Sequence, residues 1–146
     1  MTTFPPIETL VPHKPPMLLL DRVLSYSTDS VSCEVAIRVD SPFVRDGVVP
    51  AVVGLEYMAQ CVAAYAGLSA REKNEAPRIG FLLGSRDVRI DADGFPVGDR
   101  LVVEVRRTWG ENDLGSFACK VRRGEDVLVH GNLTVYQGAL PEHPPR

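Results

Sequence analysis

A single carboxylate, Glu56, stands near the start of the most apolar segment of the chain, residues 51–70. Gln60 follows it by four residues, and side chains four apart lie on the same face of a helix. A carboxylate in such surroundings can serve as a general acid or base. The alternative is an ordinary, partly solvated acid that the macrodipole stabilises near a helix N-terminus. Glu56 is therefore the first candidate catalytic residue.

General acid–base chemistry usually needs a second group, and histidine is the most frequent one. The chain has three histidines, His13, His130 and His143. His13 lies in a proline-dense N-terminal segment, where it either ties that segment to the body of the protein or acts as a base. His130 falls on a predicted strand and His143 in the proline-rich C-terminal tail. Nucleophilic catalysis has no support, because no serine or cysteine has an adjacent base.

The elements that must position these residues follow from hydrophobic periodicity. The apolar residues of 51–70 have helical spacing on nearly every face, which predicts a long buried helix beginning near Pro50. Alternating or continuous apolar runs predict six strands. They are Met17–Ser27, Ser30–Val39, Ile79–Ile90, Arg100–Trp109, Gly115–Arg123 and Asp126–Gln137. In the second strand, residues 31, 33, 35, 37 and 39 are expected to share one buried face.

Two strands, one helix and four strands predict an α+β fold, with an antiparallel sheet wrapped around one long central helix. Residues 1–138 form the single predicted domain, and residues 139–146 a disordered tail. A sheet of this kind has open edge strands, so pairing with a second subunit is expected.

Composition excludes several classes of protein. The chain of 146 residues has a formal charge of −3 without any block of like charge, so the basic footprint of a nucleic-acid-binding protein is missing. Neither a metal-ligand cluster nor a glycine-rich phosphate loop is present, and no cofactor is implied. Residues 51–70 lack the flanking anchors of a membrane span.

Cysteine usage bears on the compartment. The chain has an odd number of cysteines, and they are widely spaced: Cys33, Cys61 and Cys119. This pattern predicts buried free thiols in a reducing environment. The N-terminus has no basic segment followed by an apolar one, as a secretory signal would. Together these features predict a cytoplasmic protein.

Three motifs resemble the 3-hydroxyacyl-[acyl-carrier-protein] dehydratases, which have the hotdog fold. PHKPPMLLLDRV (Pro12–Val23) is similar to that family's PHRYPFLLVDRV-type signature. VVPAVVGLEYMAQ (Val48–Gln60) is similar to its IMPGVLxxEAMAQ-type helix start, and PVGDRL (Pro96–Leu101) to its xPGDxL strand entry. GLEYMAQCVAAYAG (Gly54–Gly67) and RIGFLLGSRDV (Arg78–Val88) also look like the dehydratase-like proteins of aryl-polyene clusters.

The resemblance implies a chemistry and its residues. Glu56 would be the acid that helps expel the 3-hydroxyl, and the Ala51 N–H would polarise the thioester carbonyl. Gln60 would orient the acid or bind the thioester. The substrate would be an acyl chain on the phosphopantetheine of an acyl carrier protein, bound in a homodimer or in a heterodimer with a homologous dehydratase subunit.

The chain departs from the family pattern at the base. That pattern places a histidine within GHFPG, fourteen residues before the acid, whereas counting back from Glu56 reaches Pro42. The shorter loop from Ser41 to Pro50 contains no histidine. Three hypotheses follow: a dehydratase of fatty-acid-type or aryl-polyene biosynthesis with its base elsewhere, at His13 or Asp46 or in a partner; a non-catalytic partner of a conventional dehydratase; or a hotdog acyl thioesterase.

Overall fold

One α-helix lies against one six-stranded antiparallel sheet in this computed structural model, which describes residues 3–75, 80–111 and 113–137. The strands are β1 Arg22–Tyr26, β2 Ser30–Ala36, β3 Val48–Pro50, β4 Phe81–Ile90, β5 Gly94–Pro96, β6 Arg100–Glu111, β7 Leu114–Arg123 and β8 Asp126–Tyr136. The order in the six-stranded sheet is β1-β2-β6-β7-β8-β4, and β3 and β5 form a separate two-stranded sheet. The predicted α+β class is confirmed. The predicted domain boundary at 138 and the tail 139–146 lie outside the described residues.

Helix α1 spans Gly54–Glu72 and follows a 3-10 turn at Ala51–Val53. Pro50 precedes that turn, where its missing N–H costs no helical hydrogen bond. Just past its end, the positive φ of Asn74 lets the Glu75 N–H donate a hydrogen bond back to the Ala70 carbonyl. Asparagine tolerates this left-handed C-terminal cap. The helix extends two residues beyond the apolar run 51–70.

The core lies between the helix and the concave face of the sheet. Alternate residues of the central strands are buried there: Val31, Cys33, Val35, Leu101, Val103, Val105, Phe117, Cys119 and Val121. This alternation is the half-buried pattern of an antiparallel sheet with one face on a core. The prediction for β2 is confirmed as far as Ile37 and wrong at Val39, which is 81% exposed because the strand ends at Ala36.

The first strand is shorter than its apolar run predicts. Residues 17–21 are not in the sheet, and β1 begins at Arg22. Gln60 binds the backbone of residues 17 and 19. The Asp21 carboxylate accepts a hydrogen bond from the Ala36 N–H of β2 at 2.6 Å, and the Asp21 N–H donates to the Glu34 carbonyl at 2.8 Å. The segment before β1 is therefore held largely by side-chain contacts, together with the backbone bond from residue 21 to β2.

The β3-β5 pair is an element that periodicity did not indicate, since three-residue strands are too short to show alternation. Val49 pairs with Phe95, and both side chains are fully buried. Asp46 and Gly47 turn the chain into β3, both with positive φ, as the two central residues of a type I′ turn require. This turn lies in the loop between Ser41 and Pro50.

Residues 51–72 are long and apolar enough, by composition, to cross a membrane. In this structure most of that segment is buried against the sheet. Burial against protein is what the core helix of a globular fold requires, so we interpret α1 as a core helix.

The N-terminal segment packs directly on α1 at Gly67. An added Cβ at Gly67 would lie 2.3 Å from the Leu10 carbonyl oxygen. Ile7, Leu10 and Val11 are buried at this contact. The close approach of the two backbones requires glycine at this position.

We predict that Gly67→Ala destabilises the protein by about 1–3 kcal/mol, because the Leu10 backbone must move to admit the methyl group. Gly84→Ala is the matched control, since nothing lies within 4 Å of its added Cβ. Urea unfolding measured by circular dichroism provides the free energies of unfolding. Equal values for the two variants would contradict the packing described.

Candidate active site

Glu56, Gln60 and His13 come together at the N-terminal end of α1. The Gln60 Nε2 donates to Glu56 Oε1 at 3.1 Å, and the His13 Nε2 lies 3.5 Å from the same oxygen. The Glu56 side chain is 43% exposed and the His13 side chain 30% exposed in the isolated chain. Two nitrogen atoms therefore face one carboxylate oxygen of a side chain that solvent can reach.

Gln60 is the one buried polar residue in the described core. Its Oε1 accepts a hydrogen bond from the Leu19 N–H at 2.9 Å, and its Nε2 also donates to the Met17 carbonyl at 2.8 Å. With the bond to Glu56, both amide protons and the carbonyl oxygen are engaged. Gln60 thus has no free donor for a substrate, and of its two expected roles the geometry favours orienting the acid.

His13 reaches the site from the N-terminal segment. The segment is anchored on one side of His13 by the Leu10–Gly67 contact and on the other by the bonds from Gln60 to Met17 and Leu19. The Nδ1 atom of His13 is buried and has no hydrogen-bond partner among the described residues. Only its Nε2 therefore faces another polar group of this site.

A cavity of about 420 Å³ adjoins Glu56 and His13. Small or apolar side chains of the N-terminal segment, α1, β4 and β8 form most of its wall: Leu10, Val11, Ala59, Val62, Ala63, Ala66, Leu82 and Val135. A largely apolar cavity that borders a carboxylate and an imidazole suits a ligand with an apolar chain and a reactive polar group.

Ala51, the expected carbonyl-polarising donor, is buried at the end of β3. Its N–H bonds to the Asp93 carbonyl at 3.3 Å. A backbone N–H that already has an acceptor cannot polarise a second carbonyl without giving up that bond. The geometry of the isolated chain thus weighs against Ala51, and its role stays a prediction.

The other candidate bases are apart from Glu56. Asp46 occupies the exposed type I′ turn, where an aspartate tolerates positive φ for structural reasons. His130 lies in β8 opposite Arg89 and Lys120, and it does not line the cavity that contains Glu56. His143 lies outside the described residues. Of the candidate bases in the described part of the chain, His13 is the one that the structure brings to the acid.

The three cysteine thiols and the Tyr57 side chain lie in the core. Cys33, Cys61 and Cys119 are buried and free, as predicted. Burial raises the pKa of the Cys61 thiol and raises that of Cys119 to about 12. Burial also raises the pKa of Tyr57 to about 12. Protonated groups of this kind are poor nucleophiles at neutral pH.

The part of the site that the sequence did not reveal is its backbone. The Met17 carbonyl and the Leu19 N–H hold Gln60, but backbone groups carry no residue-type signal. From the sequence, Gln60 is a polar side chain on an otherwise buried helix face. Its position indicates that it has a hydrogen-bond partner, but it does not identify that partner.

The sheet wrapped around one helix is the hotdog fold, and several solved structures share it. The crystal structure of a hypothetical thioesterase protein with coenzyme A from Streptococcus pneumoniae TIGR4 aligns with a TM-score of 0.64 at 10% identity, covering 83% of this chain and 88% of that one. The Dehydratase Heterocomplex ApeI:P from Xenorhabdus doucetiae aligns with a TM-score of 0.88 at 33% identity, covering 93% of both chains. The first similarity concerns the fold alone, whereas the second extends to sequence.

Sequence comparison agrees with the narrower match. The chain is 34% identical over 108 residues to the 3-hydroxyacyl-[acyl-carrier-protein] dehydratase FabZ of Anaeromyxobacter sp. (strain K), covering 70% of this chain and 69% of that protein. It is 28% identical over 133 residues to FabZ of Clostridioides difficile (strain 630), covering 87% and 91%. The family model described as ApeP-like, ApeP dehydratase, matches residues 5–143. The chain therefore belongs to the ApeP-like family of hotdog-fold 3-hydroxyacyl-[acyl-carrier-protein] dehydratases, and the predicted family and fold are confirmed.

We predict that Gln60→Leu lowers the free energy of unfolding by about 1–3 kcal/mol, because the buried Leu19 N–H loses its acceptor. Chemical denaturation followed by circular dichroism measures this loss. Glu56→Gln is the control, since it removes a charge at a partly exposed position and should change stability by about 0.5 kcal/mol or less. A Gln60→Leu protein as stable as the wild type would exclude the network as a stabilising element.

Proposed function

We propose that this chain is a dehydratase subunit that supplies Glu56 as the general acid for dehydration of a 3-hydroxyacyl thioester. The thioester is carried on the phosphopantetheine of an acyl carrier protein, in aryl-polyene or fatty-acid-type biosynthesis in the cytoplasm. The single observation that carries the proposal is the placement of Glu56, which Gln60 holds at the wall of an apolar cavity in a member of this dehydratase family.

The dehydration requires one general acid and one general base. The base removes the proton from C2, the C3–O bond breaks, and Glu56 gives its proton to the departing hydroxyl. The products are water and a thioester with a C2=C3 double bond. Afterwards Glu56 is ionised and the base is protonated, so one proton exchange with solvent restores both. The apolar cavity accommodates the acyl chain while the thioester end meets Glu56.

The base comes from a second hotdog subunit in this proposal. The loop from Ser41 to Pro50 has no histidine, and its tip is the tight Asp46–Gly47 turn. The resemblance to the 3-hydroxyacyl-[acyl-carrier-protein] dehydratases implies that the histidine and the acid come from neighbouring subunits. In a heterodimer of this chain and a subunit that retains its histidine, Glu56 and that histidine therefore form one acid–base pair across the interface.

Strand β4 is the edge through which such a subunit can pair. It bonds to β8 on one side, and no other strand of the described residues borders it. Phe81, Leu82 and Leu83 are exposed on it in succession. An exposed apolar edge strand can pair with a strand of another chain, and such pairing also buries its apolar side chains. Leu82 also lines the cavity, so a partner on β4 would border the Glu56 site. The similar ApeI:P structure from Xenorhabdus doucetiae is a dehydratase heterocomplex.

The missing loop histidine also favours a second candidate, a non-catalytic subunit that only stabilises a conventional dehydratase. The two candidates differ in whether turnover depends on Glu56. A thioesterase activity has weaker support, because the thioesterase neighbour has 10% identity whereas the FabZ relatives reach 34%.

We predict that Glu56→Gln lowers dehydration about 100-fold or more, because an amide cannot donate the proton that the leaving hydroxyl needs. The assay converts a 3-hydroxyacyl carrier protein to its enoyl product, followed by intact-mass spectrometry as the loss of one water. It is run on the chain alone and mixed with a conventional dehydratase subunit. Asp46→Asn is the control, since the proposal assigns Asp46 no role and its activity should be unchanged. Undiminished turnover in Glu56→Gln would support the non-catalytic candidate.

We predict that Leu83→Arg prevents dimer formation, because a charged side chain is placed in the β4 seam. Val39→Arg is the matched control, an apolar-to-arginine change at an exposed position outside the strands. Light scattering after size exclusion gives the masses of the chain alone and of its mixture with the second subunit. A Leu83→Arg protein that still forms the wild-type assembly would place the interface elsewhere.

A further inference from the structure

We propose that His13 is a positioning residue that, together with Gln60, binds Oε1 of Glu56 and leaves Oε2 to deliver the proton. This inference rests on the proposed function, since it assigns the two oxygens of the acid different tasks. It also assigns His13 the role of a hydrogen-bond donor in place of a base.

The orientation of Gln60 establishes one donor to Oε1. The Leu19 N–H can bond only to an oxygen, which fixes the Gln60 Oε1 at that end. The Nε2 group then faces the Met17 carbonyl and Glu56. A flipped amide would set its oxygen against the Met17 carbonyl and its N–H₂ against the Leu19 N–H. The N–H pointing at Glu56 is therefore determined by contacts that do not involve Glu56.

The two ring nitrogens of His13 establish the second donor. A proton on Nδ1 would bury an N–H that has no acceptor among the described residues, and would turn the lone pair of Nε2 toward a carboxylate oxygen. A proton on Nε2 points at Glu56 Oε1, 3.5 Å away. Such contacts are often long in ligand-free sites and shorten when the substrate binds. The neutral Nε2–H form is thus the one that the surroundings favour.

Two N–H donors on Oε1 place the acidic proton of Glu56 on Oε2. No hydrogen bond to Oε2 occurs within the described ranges, and Glu56 borders the cavity. When the C3–O bond breaks, the Oε2 proton passes to the hydroxyl, and the negative charge that develops on Glu56 is stabilised by the two N–H groups. His13 cannot also remove the C2 proton, because Nε2 already carries a proton and Nδ1 is buried.

The first test compares His13→Gln with His13→Leu in the assembly that shows turnover. The glutamine amide can present an N–H near the position of the histidine Nε2, but it cannot accept a proton, whereas leucine can do neither. We expect His13→Gln to retain kcat within about threefold, and His13→Leu to lose about 10- to 100-fold in kcat with little change in KM, as for the loss of a hydrogen bond to a charge.

Two outcomes would overturn the proposal. A His13→Gln protein as inactive as His13→Leu would make His13 a base, and full activity in both would give it no role in positioning. Circular dichroism of both variants establishes that they fold. If both fold poorly, the measurement on the wild-type protein in the next paragraph decides.

The second test does not depend on turnover. Nitrogen-15 NMR of the labelled histidine rings reports which ring nitrogen of His13 carries the proton, with His130→Gln and His143→Gln assigning the His13 resonances by elimination. We expect the neutral Nε2–H form near neutral pH and a shift of the Nε2 resonance in Glu56→Gln. An Nδ1–H form, or an unmoved resonance, would contradict the proposal. Undiminished turnover in Glu56→Gln would instead contradict the proposed function, so the two failures are distinguishable.

Discussion

The buried amide of Gln60 is the contact on which the site depends. It satisfies two backbone groups of the N-terminal segment and one oxygen of Glu56 at once. A buried amide is stable only when its donors and acceptor are paired, so the segment before β1 must follow the path that pairs them. The same path brings His13 to the acid. The amphipathic core alone would fix the helix and sheet, but not the relation between the N-terminal segment and Glu56.

One side of helix α1 is fully packed in the core, whereas the other side borders an open cavity. The helix face that packs on the sheet is buried, whereas Glu56, Ala59, Ala63 and Ala66 border the cavity. Beside them, β4 exposes apolar side chains at an unpaired edge. Both features lie on the same side of the subunit, since Leu82 belongs to each. A second subunit on β4 would pair with the exposed edge strand and narrow the cavity. The same contact would therefore stabilise the fold and shape the proposed active site.

Hydrophobic periodicity predicted the helix and the long strands of the sheet because these elements bury one face over many residues. It failed where side chains determine the backbone path. The apolar run 17–21 predicts a strand, yet Gln60 binds the backbone of Met17 and Leu19 and keeps this segment out of the sheet. The β3-β5 pair was too short to produce a pattern. Glu56 and Gln60 were identifiable as polar residues on an apolar helix. The proximity of His13 was not, because 43 residues separate it from the acid and its approach depends on the Gly67 contact.

The central claim is that Glu56 serves as the acid for a base on a neighbouring subunit. The most direct measurement is a complementation assay with this chain and a conventional dehydratase subunit that is inactivated in one of two ways. A subunit without its helix acid but with its GHFPG histidine should regain turnover when mixed with this chain, and should not regain it with Glu56→Gln. A subunit without its histidine should stay inactive in the mixture. Turnover restored equally by the wild-type chain and by Glu56→Gln would contradict the account.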